Sequence, residues 1–240
     1  MSQITTSINE KGGVGKLSVC FNTAWELANN GKNILIMDLD GQKANISFFA
    51  GENKDDINSF IVNVKQNLDI IPANSSVASL DMAAKVSKFR KSLEEIHNDC
   101  DFIFIDVNHA PSWSHYLSLS VSDFALIVML PDIASLEGNR GIIDTIDEIQ
   151  QTINHKLKIL GFLFNKFDRR TNLSKQVFDV ANKMASNINS SFFNSRIRQS
   201  VLLSKNIFKH KGITDYRTKS TPKINHLHCV QEFEEVIKNA

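Results

Sequence analysis

The segment Lys11-Gly12-Gly13-Val14-Gly15-Lys16-Leu17-Ser18 carries the strongest chemical signal in this 240-residue chain. Glycine at positions 12, 13 and 15 lets the backbone N–H groups curl round phosphate oxygens. A helix opening at Lys16 would add the partial positive charge of its N-terminus. Lys16 would then reach the β- and γ-phosphates as a point charge. The segment follows a strand-like stretch, residues 4–8, and precedes a helix-like one, residues 16–30. That context separates a phosphate loop from an incidental glycine turn.

Carboxylates follow at two further strand ends. Ile36-Met37-Asp38-Leu39-Asp40-Gly41-Gln42 places two of them at i and i+2, so both leave the strand on one side. Phe102-Ile103-Phe104-Ile105-Asp106 is four large apolar residues ending in aspartate, which reads as a Walker B element with Asp106 holding Mg²⁺ through water. Val107-Asn108-His109-Ala110-Pro111 comes next, and His109 reads as a polar loop histidine.

These residues need a scaffold that brings strand ends together. Short apolar runs at 4–8, 33–38, 68–71, 102–106, 124–130 and 157–164, with a brief one at 191–194, alternate with helical stretches. The helices are expected at 16–30, 77–97, 135–153, 172–187 and 230–239. Near-continuous Ile, Leu, Val and Phe marks strands buried on both faces. The alternation predicts an α/β fold: a mostly parallel twisted sheet flanked by helices on both faces. No repeat or linker divides the chain, so residues 1–240 are expected to form one domain. In such folds functional residues lie just past the carboxyl ends of strands, and that is where these fall.

Composition narrows the class. An apolar fraction of 42% and a charged fraction of 22% are ordinary for a globular protein. The longest apolar run, 124–130, is far short of the roughly 20 residues that span a bilayer, and the first residues lack the basic and apolar regions of a signal peptide. Cys20, Cys100 and Cys229 form no CxxC pair, which fits a reducing cytoplasm. The net charge of +1 conceals an asymmetry. Residues 1–150 carry 11 basic against 20 acidic side chains, whereas residues 151–229 carry 15 against 3. A basic block of that size points to a polyanionic partner.

The KGGxGK loop resembles the deviant Walker A loop of the ParA/MinD family of P-loop ATPases. There the early lysine, here Lys11, crosses a dimer interface to the partner's nucleotide. Glu10 replaces the first glycine of the usual motif. Asp38-Leu39-Asp40-Gly41-Gln42 is similar to the family's DxDPQ segment. The resemblance implies that Asp38 lies near the metal and that Asp40 positions the attacking water. Leu130-Pro131-Asp132-Ile133-Ala134-Ser135-Leu136-Glu137-Gly138 is similar to the family segment ending ALEG. Leu160-Gly161-Phe162-Leu163-Phe164-Asn165-Lys166-Phe167-Asp168-Arg169-Arg170-Thr171-Asn172-Leu173-Ser174 looks like the ParA version, in which an aspartate is followed by a basic-Thr-Asn-Leu stretch, and Arg196-Ile197-Arg198-Gln199-Ser200 looks like the basic segment lining the adenine side. One departure stands out: family members place Thr or Ser after the second lysine as an Mg²⁺ ligand, and here that residue is Leu17. Ser18 falls where the family's next hydroxyl helps hold the α-phosphate.

Sister branches fit less well. MinD-like proteins end in a basic amphipathic helix that lies on membranes, but here Glu232, Glu234 and Glu235 face a single lysine in that stretch. The iron-protein branch needs paired cluster cysteines, and the tyrosine-kinase branch ends in tyrosine clusters. Asn165-Lys166-Phe167-Asp168 also spells the guanine-reading N-K-x-D; the family favours ATP. His226-x-His228-Cys229 lacks a second ligand pair and reads as a polar linker before the last helix.

Arg196, Arg198, Lys205, Lys209, Lys211, Arg217, Lys219 and Lys223 lie within residues 196–223, opposed only by Asp215. ParA proteins bind DNA without sequence preference through such residues. Arg196 and Arg198 stand open between a nucleotide-side role and a DNA role. The resemblance thus implies an ATP- and Mg²⁺-dependent switch in the cytoplasm, associated with the nucleoid. ATP would close a homodimer on nonspecific DNA, and a centromere-binding ParB-like partner would prompt hydrolysis. Lys11 has no evident partner within one subunit, so self-association should be nucleotide-driven. Leu17 makes room for a rival: a weakly hydrolysing or non-hydrolysing relative, or a positioning ATPase of the MinD kind.

Overall fold

The computed structural model describes residues 2–39, 61–71, 86–87, 89–91, 93–94, 99–109, 112–168, 170, 172–188, 190–201, 203, 211–215 and 220–240. Its strands are β1 (Gln3–Ile8), β2 (Ile34–Asp38), β3 (Val62–Lys65), β4 (Leu68–Ile71), β5 (Phe102–Asp106), β6 (Phe124–Met129) and β7 (Lys158–Phe164). They form one seven-stranded sheet in the order β3-β4-β2-β5-β1-β6-β7. Every neighbouring pair is parallel except β3 with β4. The chain leaves β1 toward β2 on one side and later adds β6 on the other. The crevice at the carboxyl end of β1 is therefore the topological switch point, where such sheets bind ligands.

Period-two alternation decides which face each strand residue joins. Ile34, Ile36, Phe102 and Phe104 go to one core; Leu35, Met37, Ile103 and Ile105 go to the other. On the first face lie α1 (Lys16–Asn29) and the last helix, α5 (Thr221–Asn239). Cys229, Val230, Phe233 and Ile237 recur there at helical spacing. Phe233 is buried with its ring 5.4 Å from Phe104 and 5.9 Å from Phe102. Truncating it to alanine would cost about 3–5 kcal/mol. On the second face lie α2 (Trp113–Val121), α3 (Ile133–Thr152) and α4 (Asn172–Asn187), contributing Leu119, Ile142, Ile146, Ile149, Val177, Ala181 and Ala185. The expected sheet with helices on both faces is thus observed.

The structure departs from the expected elements in several places. Strand β3 was not foreseen, because Val-Asn-Val-Lys is short and stands half-buried at one edge of the sheet, where packing selects little. Helix α2 was also missed, since its serine-rich sequence gives a weak periodic signal. The last helix begins at Thr221, not 230. Ser220 caps it through Lys223 N and Pro222 stands in its first turn, an N-terminal signature visible in the sequence. His226, His228 and Cys229 therefore lie inside a helix rather than in a linker, with His226 and Cys229 buried. Residues 191–194 make only an isolated bridge, Phe192 with Phe162. Much of the expected helix at 77–97 lies outside the described residues, though those described between 86 and 94 are helical.

Candidate functional site

The phosphate loop leaves β1 at Asn9 and enters α1 at Lys16. Gly13 and Gly15 take φ of 72° and 89°, the left-handed region that glycine enters without strain. Gly15 is the N-cap of α1 and has no side chain to cap it, so the helix N-terminus stays open to an anion. A β-carbon on Gly15 would also stand 2.3 Å from Asn165 Nδ2.

The loop is braced from three sides. Asn9 is fully buried; its Nδ2 donates to Val128 O at 2.8 Å and Asn139 Oδ1 at 3.0 Å, and its Oδ1 accepts from Lys11 N at 2.7 Å. Asn165 Nδ2 donates to Val14 O at 2.7 Å. Lys166 Nζ reaches Gly13 O at 2.7 Å. The two residues that open N-K-x-D thus hold the phosphate loop. Asp168 instead accepts from Arg170 Nη2 at 2.8 Å, and this bond, more than any other influence, lowers its pKa to about 2.

Lys16 is buried, with Nζ donating to Asn9 O at 3.0 Å. Lys11 has a partner that the sequence did not suggest: its Nζ lies 2.8 and 2.7 Å from the two carboxylate oxygens of Asp132. The expectation that Lys11 lacks a partner within the subunit is overturned. Asp132 is also the N-cap of α3, its Oδ1 accepting from Ser135 N at 2.7 Å. Its acid-then-Ser spacing at a helix start could have been read as a cap.

Asp38 and Asp106 end neighbouring strands β2 and β5 and are paired in register, both buried. The buried Cys20 thiol in α1 is pushed well up by burial, then by Asp106 and Asp38. Both carboxylates therefore lie close to the first turns of the helix that follows the loop. Among the described residues no group of three or more His, Cys, Asp or Glu could hold a metal ion. Two hard carboxylates beside a phosphate cradle suit Mg²⁺, which takes one or two protein oxygens with water and phosphate. Leu17 supplies no ligand and packs, partly buried, against the first core. Ser18 is half-buried in the first turn of α1.

His109, read from sequence as a loop histidine, is exposed and stands against Gly12. Arg196 is half-buried, its guanidinium 3.8 Å from the centre of the Phe178 ring and 5.1 Å from that of Phe167. Arg198 bridges to Phe167 and its charge bears on Asp168. Lys211 is exposed. Asp40, Lys205, Lys209, Arg217 and Lys219 lie outside the described residues. Asp215, the one acid in the basic stretch, accepts from Trp25 Nε1 at 2.9 Å, and Asn22 Oδ1 accepts from Ile213 N at 2.7 Å. These bonds tie the described part of the basic stretch to α1, the helix that opens at the phosphate loop.

A parallel sheet with a glycine loop at its switch point and carboxylates at the next two strand ends defines a P-loop nucleotide-binding protein. A family model described as an AAA domain matches residues 2–159. The sporulation initiation inhibitor protein Soj of Bacillus subtilis is 29% identical over 203 residues, 76% of this chain and 80% of that one. Two solved structures share the fold. Cobyrinic acid a,c-diamide synthase from Mycobacterium smegmatis, with bound ADP and magnesium, has a TM-score of 0.78 at 20% identity, covering 99% of this chain and 96% of that one. A plasmid partition protein from Borrelia burgdorferi has a TM-score of 0.75 at 22% identity, covering 100% and 99%. The chain belongs to the ParA/MinD family of P-loop ATPases. Among the described residues no helix is long and apolar enough to cross a membrane.

Proposed function

We propose that this chain is a partition-type ATPase: an ATP-switched homodimer that binds DNA without sequence preference and releases it on hydrolysis. The observation that carries the reading is the cradle itself. An open helix N-terminus and the buried Lys16 stand beside Asp38 and Asp106 at the switch point of the sheet.

The chain's own residues divide the work. The loop N–H groups and Lys16 bind the phosphates of ATP and offset their charge. Asp38 and Asp106 would hold Mg²⁺, which when bound would supply positive charge to offset that of the phosphates. Asp40, two residues beyond Asp38, orients the attacking water. Lys11 leaves Asp132 and reaches the nucleotide of the second subunit. The basic stretch 196–223 takes up DNA phosphates, and its anchorage to α1 supports coupling between nucleotide and DNA. A ParB-like centromere-binding protein is the partner expected to trigger turnover, in the cytoplasm at the nucleoid.

Leu17 favours a second reading, a relative that binds nucleotide but turns it over slowly, because an apolar, core-packed residue stands where the family has a ligand hydroxyl. Phosphate release measured with and without duplex DNA tests both. DNA-stimulated release supports the partition switch. Nucleotide binding with no release under either condition supports the second reading and sinks the first.

A further inference from the structure

The loop that leaves β5 is held by several bonds, and all of them bear on one exposed side chain. His115 is buried, burial lowers its pKa, and its Nε2 donates to Asn108 O at 2.9 Å. Ser112 Oγ donates to Asn108 Oδ1 at 3.1 Å and Ser114 Oγ lies 3.5 Å from the same atom. With Asn108 fixed at both its main chain and its side chain, the next residue has little freedom to swing. That residue is His109. A β-carbon on Gly12 would meet His109 Cδ2 and Cγ at 3.5 Å and Nδ1 at 3.9 Å, so the ring lies in ordinary contact with the phosphate loop. The ring is exposed, and no hydrogen bond engages its nitrogens among the described residues. This site residue was missed because the contact joins positions 97 apart in sequence.

Residues 11–18, read as a phosphate loop, give Gly12 a place along a bound nucleotide. Ser18, in the first turn of α1, is read at the α-phosphate, whereas Lys16, read at the β- and γ-phosphates, turns its Nζ back to Asn9 O at the start of the loop, 3.0 Å away. Gly12 and Lys11 follow Asn9 directly, so on that reading they flank the β- and γ-phosphate end of the site. A ring N–H placed there would be offered to the terminal phosphate of a nucleoside triphosphate, a group that a diphosphate lacks. A hydrogen bond to a phosphate oxygen is charge-assisted, hence stronger than a neutral one.

We infer that His109 is a further nucleotide-contacting residue, one that sets the preference for triphosphate over diphosphate. The inference rests on the reading of residues 11–18 as a nucleotide site and adds the residue that counts the phosphates. Its test is a pair of affinities measured on wild type, His109→Ala and His109→Gln. Each is titrated with ADP and with AMPPNP by calorimetry, at fixed Mg²⁺ and at protein concentrations where sedimentation shows monomer. His109→Ala should lose about tenfold in AMPPNP affinity, a change of about 1.4 kcal/mol, and stay within twofold of wild type for ADP. His109→Gln keeps an N–H donor and should recover part of the loss. Equal losses for both nucleotides would reduce the ring to a packing element, and unchanged affinities would remove it from the site; either outcome overturns the inference. Wild type that binds neither nucleotide would overturn the nucleotide reading beneath it, a failure distinguished by the absence of ADP binding.

Discussion

Lys11 Nζ sits astride the carboxylate of Asp132, 2.8 Å from Oδ1 and 2.7 Å from Oδ2, while the same Oδ1 caps α3 through Ser135 N. One carboxylate thus holds the lysine within its own subunit and also fixes the start of a helix. Both side chains are about one-third exposed (32% and 33%), so the pair can open without stranding a buried charge. A lysine needed across a dimer interface has first to leave this partner.

Removing the charge of Asp132 should therefore favour the dimer. Asp132→Asn keeps a good capping side chain but weakens the hold on Lys11. The AMPPNP concentration at which sedimentation shows half dimer should fall by about two- to fivefold, the scale of a partly exposed ion pair. Lys11→Ala should weaken the dimer at every concentration. A dimer in Asp132→Asn that forms no more readily than in wild type would show that the pair does not oppose association.

Leu17→Thr should raise ATP hydrolysis at least tenfold at saturating ATP and Mg²⁺, a barrier change of about 1.4 kcal/mol. The substitution restores the hydroxyl that the family uses at this position. Because Leu17 also packs against the first core, the variant should lose about 1 kcal/mol of stability. Phosphate release and a denaturant melt read the two effects separately. Brisk wild-type turnover that the variant leaves unchanged would mean that another group supplies the ligand.

The Lys205→Glu, Lys209→Glu, Lys211→Glu triple variant should weaken duplexes of unrelated sequence alike. If each lysine meets one phosphate, the slope of log affinity against log salt should become shallower by about 3. Salt titrations on two unrelated duplexes measure this. Survival of binding to one sequence alone would contradict nonspecific contact.

Acid should destabilise the fold through His226. This side chain is fully buried in α5, neither ring nitrogen is hydrogen-bonded among the described residues, and burial lowers its pKa to about 4 from an ordinary 6.5. Above about pH 6.5 the ring is neutral folded or unfolded and imposes no pH dependence. Below that the unfolded chain binds the proton more readily. Stability should therefore fall between about pH 6.5 and pH 4, by about 3 kcal/mol in total. His226→Leu should flatten this limb in urea melts across that range; an unchanged limb would place the acid sensitivity elsewhere.

The sequence by itself determined the elements with strong local signals. Strands 68–71 and 102–106 were legible to the residue: Phe102–Ile105 is apolar on both faces, as a strand in the middle of a parallel sheet is, and in 68–71 Leu68, Ile70 and Ile71 carry the signal past Asp69. The glycine loop between β1 and α1, and Asp38 and Asp106 at strand ends, were legible as positions because glycines and carboxylates mark where an apolar run stops. What the tertiary structure alone decided was partnership. Asp132 holds Lys11 across 121 residues, and Asn9 and Asn165 hold the loop across 119 and 151. His109 meets Gly12, and Asp215 meets Trp25. Periodicity and motif spacing report only how a segment relates to its own neighbours. Which side chain crosses the switch point to meet another depends on strand order, and the sheet brings β1, β5 and β6 together from three separate parts of the chain.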